Sequence, residues 1–194
     1  LESKGLHPDE FDTFENRVSN AEVMSRGILS NIKLKNKIVS PKEGGFTKDF
    51  LSGEIMSIYD FSIKMKEEHT PIVIFAGKNY GIGEQRAWAA KGLKLLGVKA
   101  VIAKSFNKKH KSDLVSMGIL PLEFIDDDVD SLYLNGDELI SIESNDIKMN
   151  NKIEIQIKKS YDTKTITVQS RLDSKDEVLY YKNGGVLAYL LKNI

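Results

Sequence analysis

Between residues 71 and 124 short apolar runs alternate with helix-period segments, and this alternation leaves few folds open. "PIVIFA" (71–76) is apolar, rich in β-branched residues and bounded by Pro71 and Gly77, as a buried strand is. "RAWAAKGLKLL" (86–96) follows with apolar residues at helical spacing and stops at Gly97. "KAVIA" (99–103) reads as a second strand, "NKKHKSDLVSM" (107–117) as a second helix closed by Gly118, and "ILPLEF" (119–124) as a third strand. The order β-α-β-α-β requires parallel strands joined by right-handed crossovers, so the class is α/β.

The flanks read differently. Residues 54–68 fit an amphipathic helix, with Ile55, Ile58, Tyr59, Ile63 and Met65 opposed to a charged face. "KIEIQIK" (152–158) and "TITVQ" (165–169) alternate with period two, as half-buried antiparallel strands do, with "YDTK" (161–164) as their turn. Residues 174–192 read as a terminal helix interrupted at Gly184-Gly185. "SPKEGGFTK" (40–48) and "IDDDVD" (125–130) read as loops, the aspartates as a solvated loop or a helix start.

Composition excludes several functions. The chain of 194 residues balances 28 basic against 28 acidic side chains, which gives no field to draw nucleic acid. It has no cysteine, hence no disulfide and no thiolate for zinc or an iron–sulfur cluster. His7, His69 and His110 show no ligand spacing and read as surface or satisfied residues. No apolar run approaches the ~18 residues of a membrane span, and the start lacks a signal-peptide pattern, so a cytoplasmic location is expected. The first residue is Leu1 rather than Met, as expected of a piece of a longer chain.

The stretch with chemical content is "NYGIGEQRAWAAKG" (79–92). A strand, a glycine-bearing loop and a helix N-terminus form a ready anion site, because free N–H groups and the positive end of the helix dipole point to one spot. Gly81 and Gly83 allow close backbone approach, and Arg86 offers a two-pronged fork for a carboxylate. The spacing is neither a Walker A loop nor a dinucleotide fingerprint. Glu84 works against the anion reading. It occupies the same spot, and at ~4 Å with an effective dielectric near 20 two unit charges repel by about 4 kcal/mol. As a first-turn residue it is favourable to the helix dipole by roughly 0.3–1 kcal/mol.

Residues 76–124 as a block resemble the C-terminal swivelling domain of aconitases, closest to the monomeric bacterial type that includes the iron-regulatory proteins. "FENRVSNAEVMSRGILSNIKLKN" (14–36), "EGGFTKDFLSGEIMSIYDFSIKMKEEHTPIVIFAGKNYG" (43–81) and "YYKNGGVLAYLLKNI" (180–194) extend the likeness over nearly the whole chain. The resemblance implies a swivelling β/β/α domain over residues 1–194, with 1–20 as an interdomain entry segment. It also implies three further domains in the same polypeptide that hold a [4Fe-4S] cluster. The complete enzyme of this family interconverts citrate and isocitrate through cis-aconitate, so the implied partners are those domains and a tricarboxylate substrate.

The implied site departs from the family in places. The family loop reads Gly-x-Gly-Ser-Ser-Arg; its first serine is the base and its arginine grips a substrate carboxylate. Gly81, Gly83 and Arg86 match, whereas Glu84 stands at the base serine and Gln85 at the second serine. An upstream substrate-binding arginine aligns with Lys4, and paired arginines align with Arg17 and Val18. The asparagine of the family's His-Arg-Ser-Asn-Leu stretch is Asp113, beside matching His110 and Ser112. Glu84 is either a carboxylate base or the mark of a lost one. Two other readings stay open. In an RNA-binding regulator, Lys104, Lys108, Lys109 and Lys111 would meet phosphates. In an isopropylmalate isomerase-like hydro-lyase, this domain would be a separate small subunit.

Overall fold

The computed structural model describes residues 1–11, 13–18, 20–83, 86–143 and 147–193. Short 3-10 turns at Glu2–Lys4 and Pro8–Glu10 precede helices α1 (Phe14–Val18) and α2 (Ala21–Gly27). A hairpin of β1 (Phe46–Lys48) and β2 (Ile55–Ser57) leads into α3 (Ile58–Glu67). Then come β3 (Ile72–Ala76), α4 (Arg86–Leu95), β4 (Val98–Ala103), α5 (Lys108–Ser116), β5 (Leu120–Phe124) and α6 (Val129–Leu132). Strands β6 (Leu139–Ile142), β7 (Lys152–Lys158) and β8 (Thr163–Ser170) and helices α7 (Lys175–Lys182) and α8 (Val186–Lys192) complete the chain.

The main sheet has the order β3-β4-β5-β8-β7-β6. Its first three strands are parallel and the rest pair antiparallel, which is the β-α-β-α-β unit read from the sequence followed by the alternating strands. The two burial patterns follow from position. β4 lies between helices on one side and core on the other, so Val101 packs under α4 and α5 while Ala100 and Ile102 face the second cluster. β7 has one wet face: Ile153, Ile155 and Ile157 are buried, and Lys152, Glu154, Gln156 and Lys158 are exposed. Side-chain caps start the helices, Ser57 for α3, Asn107 for α5 and Ser174 for α7. Gly184-Gly185 separates α7 from α8.

Four boundaries differ from the sequence reading. The helix expected from residue 54 starts at Ile58, because Ile55–Ser57 pairs with Phe46–Lys48 and Ser57 then caps the helix. The loop expected over 40–48 therefore ends in a strand. The turn expected at 161–164 closes earlier, with the Lys159 N–H on the Asp162 carbonyl at 2.7 Å, and Thr163 and Lys164 already lie in β8. β6 was not read as a strand at all. In the acidic run, Asp128 caps α6 and Asp127 pairs with Lys164 at 2.7 Å, which holds the Asp127 carboxyl below its usual range. No helix of the described residues is long and apolar enough to cross a membrane.

The hairpin is locked by one buried carboxylate. Asp49 is buried at its tip, 2.8 Å from Lys64 Nζ on α3 and 2.7 Å from Ser52 Oγ. Lys64, then Ser52, hold its carboxyl well below the usual carboxylate range.

Candidate functional site

The loops after β3 and β4 lie side by side at the carboxyl ends of the parallel strands, the edge where α/β sheets bind ligands. The Tyr80 N–H donates to the Ser105 carbonyl at 2.9 Å and the Asn107 N–H donates to the Tyr80 carbonyl at 2.8 Å, extending the parallel ladder by one bridge, Tyr80 to Phe106. The Asn79 N–H donates to Ser105 Oγ at 2.8 Å. The glycine loop is thus fixed on the entry to α5. The Tyr80 ring meets Phe106 edge-on at 6.0 Å and tilts over His110 at 5.4 Å; burial pushes its phenol above the usual value.

Gly81 follows with φ +85°, a conformation glycine adopts without penalty. A Cβ there would lie 2.2 Å from His110 Cδ2 and 2.3 Å from Cγ, so the imidazole occupies the space a side chain would need. Gly81, Gly83, Ala89, Asn107, Lys109, His110 and Asp113 line a cleft of about 30 Å³. The Asn107 side chain accepts from the N–H groups of Lys109 and His110, which satisfies the first donors of α5 internally. α4 begins at Arg86, directly behind the loop. Among the described lining residues, Lys109 Nζ and Asp113 pair at 3.3 Å. His110 is 7% exposed, and burial holds its pKa below the usual histidine value.

Of the residues expected in the site, Gly81 and Gly83 are in place on this edge. Glu84, Gln85 and the Arg86 side chain lie outside the described residues, although the Arg86 backbone opens α4. Lys4 is exposed and lines a different, open cleft with Leu1, Leu6, Asn16, Asn20, Ala21 and Glu22. Among the described residues the two clefts have no lining residue in common, so Lys4 lines a different cleft from Gly81 and Gly83. Sequence reasoning took His110 for a surface or satisfied residue; it lies under the loop. The available signal was Gly81 itself, since a glycine excused from carrying a Cβ implies something close above it.

Part of the basic run is taken up inside the fold. Lys111 is 4% exposed, with Nζ 2.7 Å from Asp173 and 3.0 Å from Glu177, so it fastens α5 to α7. Lys104 Nζ donates to the Asp127 carbonyl at 3.3 Å, and Lys109 is paired with Asp113. Lys108 has no side-chain partner among the described residues. Nor do the residues fit an iron–sulfur cluster: the chain has no cysteine, and among the described residues no three His, Asp or Glu side chains converge as metal ligands.

The chain has relatives among known proteins. The family profile described as the aconitase C-terminal domain matches residues 1–127. The chain is similar to aconitate hydratase A of Deinococcus radiodurans, 45% identical over 197 residues, covering 100% of this chain and 22% of that protein. It is also similar to aconitate hydratase A of Bacillus subtilis, 42% identical over 195 residues, covering 99% of this chain and 22% of that protein. Among solved structures, a 3-isopropylmalate dehydratase from Methanocaldococcus jannaschii aligns with TM-score 0.43 and 23% identity over 71% of this chain and 79% of its own. The chain thus spans about a fifth of the length of the curated relatives it matches.

Proposed function

Because the chain belongs to the aconitase C-terminal domain family, we propose that it is the substrate-closing part of a longer aconitate hydratase-type protein that interconverts citrate and isocitrate. The observation that carries this is the match of the whole chain to about a fifth of aconitate hydratase A. In this reading residues 1–194 are one swivelling domain, with residues 1–20 as its entry segment. The remaining domains lie in the same polypeptide and hold the [4Fe-4S] cluster, for which this chain has no ligands.

The chain's own contribution is to bind and orient the tricarboxylate. The glycine loop and the first turn of α4 present N–H donors and a positive dipole end to one carboxylate. Arg86, opening α4, adds a bidentate fork in the role of the family's arginine. Lys4 stands for a second family arginine, keeping the charge but not the fork. Glu84 replaces the serine that takes the substrate proton, and Gln85 replaces its neighbour. A carboxylate at that place repels the substrate's own carboxylates, so ordinary turnover of the parent protein is low.

The length of the native polypeptide tests the assignment. An antibody to this domain detects, in extract of the source cells, a band roughly four to five times the mass of this 21.8 kDa chain, since the chain covers 22% of its relatives. A band at 21.8 kDa instead would make the domain a separate subunit and overturn the single-chain reading.

A further inference from the structure

We propose that His110 is a positioning residue for the substrate loop: its imidazole is the floor on which Gly81 rests, and it sets the backbone of residues 81–83 ahead of α4. The inference rests on the reading of that loop as a tricarboxylate contact, and goes beyond it by naming what holds the loop in shape.

Three observations converge. The first is the absence of room at Gly81. Any Cβ there would lie within 2.5 Å of three His110 atoms, so glycine and imidazole define each other's place. The second is that His110 is itself immobilised. Asn107 caps its backbone N–H at 3.2 Å, Tyr80 covers one side of the ring, and only 7% of the residue is exposed. The Tyr80 backbone in turn is bonded at both ends to the strand leading into α5, so the contact from loop to ring closes a rigid circuit. The third is the cleft. The ring has no hydrogen-bond partner among the described residues, yet it lines a space of about 30 Å³ beside Gly83, Asn107 and Asp113. That is room for a single water between polar groups. A flat ring with a polar edge supports the loop from below and offers that edge to whatever fills the cleft.

The contact is separated by 29 positions in sequence (81 to 110), so it appears only once the two loops are zipped together. It differs from the role of Arg86, which would touch the substrate; His110 acts only through the loop.

The test is hydrogen–deuterium exchange of the peptide covering residues 78–83 in the full-length, cluster-loaded protein, with citrate affinity by calorimetry on the same variants. His110→Ala raises exchange of that peptide by about tenfold while peptides of β7 and β8 stay unchanged. His110→Phe, which keeps the flat floor, restores most of the protection. Gly81→Ala raises exchange by itself, and Gly81→Ala with His110→Gly raises it by less than the product of those two single effects, because the new methyl group would lie 2.5 Å from His110 Cβ as well as against the ring and finds room only when the whole side chain is gone. Unchanged exchange in His110→Ala, a rise spread evenly over the domain, or independent effects of the pair would overturn the proposal. Citrate affinity separates the two readings. With Glu84→Ser and Gln85→Ser added to every calorimetry sample so that the charge at position 84 does not mask binding, a His110→Ala variant that loosens the loop and weakens citrate binding leaves both standing; if the loop loosens and no sample binds citrate, the positioning role stands and the tricarboxylate reading falls.

Discussion

If the parent protein has the proposed activity, replacing Glu84 and Gln85 together by serine in the full-length, cluster-loaded protein raises citrate–isocitrate turnover by about two to three orders of magnitude. In sequence both residues fall between Gly83 and Arg86, where α4 begins, and in the proposed function a helix N-terminus there draws an anion. A glutamate there competes with the substrate carboxylate. At ~4 Å and an effective dielectric near 20 the repulsion is about 4 kcal/mol, and each 1.36 kcal/mol is tenfold in rate. Charge alone does not complete the change, because proton abstraction needs a base of the right reach. Glu84→Gln therefore separates the two effects: it removes the charge and improves citrate binding, but leaves turnover low. If the double serine variant gains nothing, the site is limited elsewhere, with Lys4 the first candidate, or Glu84 has its own catalytic part.

Gly118→Ala destabilises the domain by about 2–5 kcal/mol, the sum of a left-handed backbone penalty and an overpacking cost. Gly118 ends α5 with φ +75°, and a Cβ on it would lie 2.4 Å from the Gly184 carbonyl carbon and 2.6 Å from its oxygen. The opposing backbone has no slack. A Cβ on Gly185 would meet the Ser116 carbonyl oxygen at 2.6 Å, and Lys94 Nζ donates to the Gly184 carbonyl at 2.7 Å. The Lys111 ion pairs to Asp173 and Glu177 fix the other end of the same seam. Because whole domains are stable by only ~5–15 kcal/mol, such a loss is large. Urea unfolding measures it, and Gly184→Ala is the control. Its φ is +83° but nothing lies within 4 Å of the added Cβ, so only the backbone penalty of about 1–2 kcal/mol applies. Equal losses in the two variants would show that close packing at this seam is not the cause.

The seam was hidden in the sequence and the sheet was not. β4 and β5 are buried on both faces and β3, at the sheet edge, is half-buried along its whole length, which writes continuous apolar runs, and β7 has one dry face, which writes strict alternation. Those signals are local. β2 is three residues long, and Ile55 and Met56 fit a helix's first turn as well as a strand, so only pairing with Phe46–Lys48 decides. β6 is an edge strand whose Leu139 and Ser141 face solvent, so its pattern is weak. Lys111 looked like its neighbours Lys108 and Lys109, since nothing local announces partners 62 and 66 positions away. For the site, the glycines and Arg86 are visible as a loop ahead of a helix. The charge of Glu84 already told against an anion, only the resemblance put it at the base serine's position, and the place of His110 came from the fold.

The central claim is that this domain grips a tricarboxylate through Arg86 at the start of α4. It is tested most directly by citrate calorimetry on the full-length, cluster-loaded protein carrying Glu84→Ser and Gln85→Ser, with and without Arg86→Lys. Loss of the bidentate fork at constant charge weakens binding by about 10- to 100-fold, in keeping with ~1.5–3 kcal/mol for a charged hydrogen-bonded contact. Equal affinity in the two proteins would contradict the claim.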